Sequence, residues 1–146
     1  MEFTDFTAKD FAEYQAWFQD EVLNSQLGPA PDEEWLEYVL SDALGKQFCV
    51  FDQGEIVAVV GVVLPTLEHR YCVVSDIAVK PELRGKGIGK LVLAELVRQV
   101  SLQAGEYWKA FVEETNLNAI AFFHAAKWKL QPESSDDSMC EFVFSS

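Results

Sequence analysis

Between Val79 and Leu96 the chain reads VKPELRGKGIGKLVLAEL. Four basic residues (Lys80, Arg84, Lys86, Lys90) surround three glycines at alternate positions, Gly85, Gly87 and Gly89, and an apolar run with helical spacing follows. Backbone N–H groups at a helix N-terminus lack intrahelical partners and carry the positive end of the helix dipole, so they bind phosphate. Glycine lets that backbone approach an anion with no Cβ in the way. The stretch reads as a polyphosphate-binding turn. Two common phosphate patterns fail on it. G-x-x-x-x-G-K-[ST] fails because Gly89-Lys90 is followed by Leu91 and the residue five before Gly89 is Arg84. G-x-G-x-x-G fails because its third glycine position holds Lys90. A third pattern, [Q/R]-x-x-G-x-[G/A], is met in full by Arg84 through Gly89, Ile88 included.

Such a turn needs a strand before it and a helix after it. RYCVVSDIAV supplies the strand, and about Gly87 to Gln103 supplies a helix with Ile88, Leu91, Val92, Leu96, Val97 and Val100 on its apolar face. Upstream, residues 2–6 suit a strand. Thr7 can cap a helix carrying Phe11, Tyr14, Ala16, Phe18 and Val22, and LGPAP breaks it. Pro31 and Asp32 open a second helix with Trp35, Leu36, Val39 and Leu40 on one face, which Gly45 ends. KQFCVFD and EIVAVVGVVL read as strands joined at Gln53-Gly54. Downstream come a strand (YWKAFVEE), a short helix (NLNAIAFFHAA) and two strands (KWKLQPE, MCEFVFS), with PESSDDS as their hairpin connection. The order β-α-α-β-β-β-α-β-α-β-β predicts an α+β (mixed α/β) domain over residues 1–146 with a largely antiparallel first half.

Composition limits the partners. The net charge is −13. Residues 1–55 hold thirteen Asp/Glu against Lys9 and Lys46, a net of −11, whereas residues 56–146 hold eleven acids against nine bases, a net of −2. Nucleic acid is disfavoured, since binding it takes a basic face. No apolar run reaches about 18 residues, so no membrane span is expected. The acidic N-terminus lacks a basic segment followed by an apolar one, so no signal peptide is read. Cys49, Cys72 and Cys140 are widely spaced with no C-x-x-C pair, which suits reduced thiols in a cytoplasmic protein and no metal site.

SDIAVKPELRGKGIGKLVLAEL resembles the acyl-CoA-binding motif of the GNAT superfamily, the GCN5-related N-acetyltransferases, and the element order resembles the GNAT fold along nearly the whole chain. The resemblance implies a central, mostly antiparallel sheet with helices on both faces, and acetyl-CoA as cosubstrate. It implies that backbone groups of Ile77, Ala78 and Val79 pair with the pantetheine arm as an added strand. Amides from Arg84, Gly85, Lys86, Gly87, Ile88, Gly89 and Lys90 would hold the pyrophosphate. A second family motif, N-x-x-A-x-x-x-Y-x-x-x-G-F, is similar to ETNLNAIAFFHAAKWKL. Asn116 and Ala119 match it; Phe123, Lys127 and Trp128 replace its Tyr, Gly and Phe. Asn116 is then a pantetheine contact or a helix cap, or both, and Phe123 stands at the coenzyme site where the Tyr would be. Phe123 has no proton to donate, and Phe111 stands where some relatives have a Glu. Both departures argue against a Tyr-acid, Glu-base mechanism.

Direct attack can run without them. A lysine-like amine with a pKa near 10.4 costs roughly 4–5 kcal/mol to deprotonate at pH 7, so a base matters. A thiol pKa of about 8.5 limits the penalty for a missing general acid to about 2 kcal/mol. Asp76, on the cleft strand, is the preferred base; Glu113 and His124 are alternatives, and His69 is a weaker one. The backbone N–H of Val79 is the candidate oxyanion donor. In the family the first two helices wall the acceptor site. Here they carry Asp20, Glu21, Asp32, Glu33, Glu34 and Glu37 among Tyr14, Trp17, Trp35 and Tyr38. Carboxylates with aromatic faces suit a cationic amine, although the same residues also suit a solvated surface over an aromatic core. The rival reading is a catalytically weak acyl-CoA-binding regulatory module of the same fold. Exposed strand edges would permit a homodimer.

Overall fold

The computed structural model describes residues 1–132 and 138–145. Its elements are β1 (Glu2–Asp5), α1 (Phe11–Trp17), α2 (Glu21–Leu27), α3 (Glu33–Ser41), β2 (Gly45–Asp52), β3 (Glu55–Val63), β4 (Tyr71–Val79), α4 (Ile88–Gln99), β5 (Tyr107–Glu113), α5 (Leu117–Ala125), β6 (Lys129–Leu130) and β7 (Met139–Phe144). Short 3-10 turns precede α1 (Ala8–Asp10) and α4 (Pro81–Leu83). The strands form one sheet in the order β1-β2-β3-β4-β5-β7-β6. Every neighbouring pair is antiparallel except β4 and β5, whose parallel pairing requires the crossover through α4.

Helices cover both faces, as the resemblance implies. On one face Val92, Leu93 and Leu96 of α4 and Phe123 of α5 pack on Val60, Val62, Cys72, Val74, Trp108, Ala110 and Phe142. On the other, Tyr14, Trp17 and Leu23 of α1 and α2 pack on Cys49, Val59 and Ala78. Between these layers runs β3, EIVAVVGVV, buried at every position from Ile56 to Val62. A strand with both faces covered reads as a continuous apolar run, without the alternation of a half-exposed one.

The N-terminal helices depart from expectation. The helix predicted to run from Thr7 past Val22 is two. Asp10 accepts from the N–H and hydroxyl of Thr7, so Thr7 opens only the 3-10 turn. The Asp20 carboxylate accepts from Leu23 N–H at 3.0 Å and starts a new helix. The restart shifts the helical phase, which leaves Val22 exposed and buries Leu23. The next helix stops at Ser41, so Gly45 begins a strand and does not end the helix. Leu40 is exposed, off the buried face. Near the C-terminus, β6 keeps two residues of the predicted strand. Most of the PESSDDS stretch lies outside the described residues.

The α4 helix also ends before Gln103. Val100 N–H donates to Leu96 C=O, and Val100 is already extended. Leu96 is fully buried, whereas Leu91, assigned to the same face by spacing, is 58% exposed. Leu96→Ala is therefore expected to cost about 2–5 kcal/mol in urea unfolding, and Leu91→Ala less than about 0.5 kcal/mol. Equal losses at both positions would show that this packing is misassigned.

Candidate active site

β4 and β5 pair at only three positions, Tyr71↔Tyr107, Cys72↔Trp108 and Val73↔Lys109. Beyond Val73 they part. β4 stays on β3 as far as Val79, while β5 pairs on its other side with β7. The edge of β4 from Val74 to Val79 therefore borders a gap. Which backbone groups face the gap follows from ladder alternation. Lys80 N–H donates to Val57 C=O at 2.9 Å. With Ala78 opposite Val59 and Ile77 opposite Val60, Ala78 turns both its backbone groups to β3, and Ile77 and Val79 turn theirs to the gap. The backbone groups of Ala78 are thus taken up by β3. Its side chain is buried on the α1–α2 face instead.

The strand leads directly into the basic turn. Gly85 and Gly87 have φ of 81° and 79°, a left-handed backbone that glycine adopts without a Cβ clash. The two bends bring six successive N–H groups, Gly85 to Lys90, to the start of α4, and none has a backbone acceptor among the described residues. These amides and the exposed Lys86 and Lys90 can take a diphosphate. Arg84 is spent otherwise. Its N–H donates to Pro81 C=O, and its guanidinium pairs with Asp20, the cap of α2. The Arg84 hydrogen bond holds the Asp20 carboxyl below the usual carboxylate range.

Asp76 stands on the α1–α2 face beside the gap. Gln47, Gly61 and Asp76 are in register across β2, β3 and β4. Gln47 Nε2 donates to Asp76 Oδ2 at 2.8 Å, and Ser75 Oγ donates to Oδ1 at 2.9 Å. The register slips between Gly61 and Val62, leaving Ser75 as the extra residue. Such a bulge re-aims the side chains beside it. A Cβ on Gly61 would overlap Asp76 Oδ1 and stand 2.6 Å from Gln47 Oε1 and 2.7 Å from Ser75 Oγ. Burial pushes the Asp76 carboxyl up, and the bonds from Gln47 and Ser75 partly offset that rise. Neither Gln47 nor Gly61 is visible as a site residue in the sequence. The signal would be strand register, which spacing alone does not set.

The profile of the acetyltransferase (GNAT) family matches residues 10–127. The chain belongs to that family. With it comes the family's activity: the protein is an acetyl-CoA-dependent N-acetyltransferase. A Bacillus subtilis (strain 168) protein named Uncharacterized N-acetyltransferase YfmK is 28% identical over 122 residues, 83% of this chain and 80% of its own. An acetyltransferase from Thermus thermophilus superposes with a TM-score of 0.80 at 20% identity, covering 98% of this chain and 95% of that one. A spermidine N-acetyltransferase from Vibrio cholerae, solved with CoA and spermine, gives 0.78 at 15% identity over 98% and 94%.

The remaining GNAT-motif residues fall as follows. Asn116 caps α5, with its Oδ1 accepting from Ala119 N–H at 3.1 Å, which leaves its amide NH2 for a ligand. Phe123 is 7% exposed and stacks on Phe142, with Phe122 and Trp128 beside it, so it packs in the core. Glu113 is exposed at the far end of β5. Its strand parity with Lys109 and Phe111, opposite to buried Trp108, Ala110 and Val112, puts it on the Asp76 face. His124 is exposed on α5 and packs edge-on against Phe142, on the opposite face. His69 Nδ1 lies 3.4 Å from the Tyr71 hydroxyl, at the other end of β4 from the turn. The aromatics of the N-terminal helices mostly fill the core. Tyr14 contacts Phe6, Trp17, Phe18 and Trp35, and only Tyr38 is exposed. The indole N–H of Trp17 is buried without a partner, the one such side-chain atom among the described residues.

Gly61→Ala is expected to force Gln47 and Asp76 apart and to destabilise the protein by about 1–3 kcal/mol. Urea unfolding measures this, and a variant as stable as the wild type would show that the contact yields freely.

Proposed function

We propose that the protein moves an acetyl group from acetyl-CoA to the primary amine of a cationic acceptor by direct attack, with Asp76 as the general base. The observation that supports this is the parting of β4 from β5, which leaves the outward backbone groups of Ile77 and Val79 unpaired a few residues before the unpaired amides of the turn. The residues fit the coenzyme. Amides of Gly85 through Lys90 hold its diphosphate, with Lys86 and Lys90 adding charge. Ile77 and Val79 hold its pantetheine arm as an added strand, and the Asn116 amide assists. When bound, the coenzyme supplies an acetyl group activated on a thiol leaving group.

The protein's own residues supply the rest. Asp76 takes the proton that the amine must lose, and its raised pKa brings it nearer the working pH, where a general base is most effective. The Val79 N–H faces the gap and donates to the oxyanion that develops. Phe123 donates no proton. At a thiol pKa of about 8.5 that lack costs at most about 2 kcal/mol. The charge of the acceptor is argued from the acidic N-terminal part, where Glu21, Glu33, Glu34 and Glu37 are exposed on α2 and α3. The aromatics, being core, do not contribute a cage. The Vibrio cholerae protein of the same fold is named for a polyamine, spermidine, and was solved with spermine, a second polycation.

Calorimetric titration with CoA is expected to give a saturable isotherm that weakens when Lys86 and Lys90 are both changed to Ala. Asp76→Asn is expected to lower kcat by about 10²–10⁴-fold, abolish the acidic limb of the pH profile and leave CoA binding intact. Retention of both rate and profile would eliminate Asp76 as the base, and absence of CoA binding to folded protein would eliminate the site. In a panel of amines, release of CoA thiol should be fastest with di- and polycations, and kcat/KM for these should fall as ionic strength rises. A preference for neutral or anionic acceptors would reject the charge argument.

A further inference from the structure

With Asp76 as the base proposed above, we infer that Gln47 is its positioning residue: the Gln47 amide reaches from β2 across Gly61 of β3, fixes one orientation of the Asp76 carboxylate and favours its ionised form. The bond from Nε2 to Oδ2 is 2.8 Å and joins residues 29 apart in sequence. It exists because β3 has no side chain at position 61, where a Cβ would meet Asp76, Gln47 and Ser75 at once. Ser75, at the bulge, bonds the other carboxylate oxygen. Each carboxylate oxygen thus has one side-chain donor, and the oxygens are told apart by where those donors sit.

No charged group does this work. Among the described residues no Lys, Arg or His pairs with Asp76. On its own side the Tyr14 phenol from α1 acts on Asp76, with the Cys49 thiol beside Tyr14, and burial pushes both of these upward, so both stay neutral through the working range. Across the gap, β5 turns Glu113 and Lys109 to the same sheet face, Lys109 being paired with Glu141. The carboxylate charge is therefore balanced by two neutral donors, and Gln47 comes from a different strand. An amide neither gains nor loses a proton here. During turnover the proton passes from the amine nitrogen to Asp76, and Gln47 keeps its own.

Two readouts separate this role from a structural one. Gln47→Met keeps the volume and removes the donor. It should move the acidic limb of kcat/KM up by about one pH unit, since a hydrogen bond to a charged group is worth about that much. It should leave KM for acetyl-CoA unchanged. Gln47→Glu puts a like charge beside Asp76 and should move the limb further in the same direction. Carbon-13 NMR of labelled Asp side chains reads the Asp76 titration directly, independent of turnover. If the Asp76 signal titrates at the wild-type pH in Gln47→Met, the inference is overturned. If that signal moves but the kinetic limb does not, Gln47 does tune Asp76, and the base assignment is what fails. Should Gln47→Met not fold, Ser75→Ala removes the other donor from an exposed position and should move both readouts upward by a smaller amount. No movement in either would overturn the idea equally.

Discussion

The structure depends on a hydrogen-bond ladder that stops. β4 and β5 hold each other for three residues and then separate, each staying paired on its far side, β4 with β3 and β5 with β7. Backbone groups left at the edge of a sheet cost free energy unless water or a ligand satisfies them. The separation therefore creates a row of donors and acceptors, of known spacing, inside an otherwise continuous sheet. The glycine turn extends that row with amides of the α4 N-terminus. In the proposed binding mode the coenzyme is held mostly by the main chain, which asks little of side-chain identity; the Thermus thermophilus and Vibrio cholerae structures share this fold at 20% and 15% identity.

The two faces of the sheet divide the labour. The α4–α5 face is a packed aromatic and aliphatic layer, and Phe123 belongs to it. The α1–α2 face carries the polar row of Gln47, Asp76 and Ser75, set into an aromatic cluster around Tyr14 and Trp17. A carboxylate among aromatic side chains is poorly solvated, and its neighbours decide whether it stays charged. The bulge at Ser75 allows this arrangement. It shifts the alternation of β4, so that Val74 faces one layer and Asp76 the other.

What the sequence made legible was local. The turn, its strand and its helix are contiguous, and their chemistry follows from glycine, helix-end amides and basic residues within a dozen positions. The buried central strand was legible for the same reason, as a run of small and β-branched apolar residues. What it hid was set by register and phase. Gln47, Gly61 and Asp76 meet only because three strands align at those positions, and no pattern within any one strand encodes that alignment. The restart at Asp20 was hidden because an Asp inside an acidic, helix-compatible stretch looks like surface decoration until its carboxylate is seen on the Leu23 N–H. Aromatics at helical spacing fit either a core or a binding wall, and the packing chose the core.

Asp20 carries a consequence for the behaviour of the whole enzyme. One carboxylate both starts α2 and grips Arg84, so that helix and the glycine turn share a single anchor. Because Arg84 depresses the Asp20 pKa, the anchor is complete above the ordinary carboxylate range and is lost only as pH falls through that lowered value. Mild acidification therefore leaves this anchor in place and acts first on Asp76, whose pKa is shifted the opposite way. With Asp76 as the proposed base, acid would silence turnover while the Asp20–Arg84 anchor still holds.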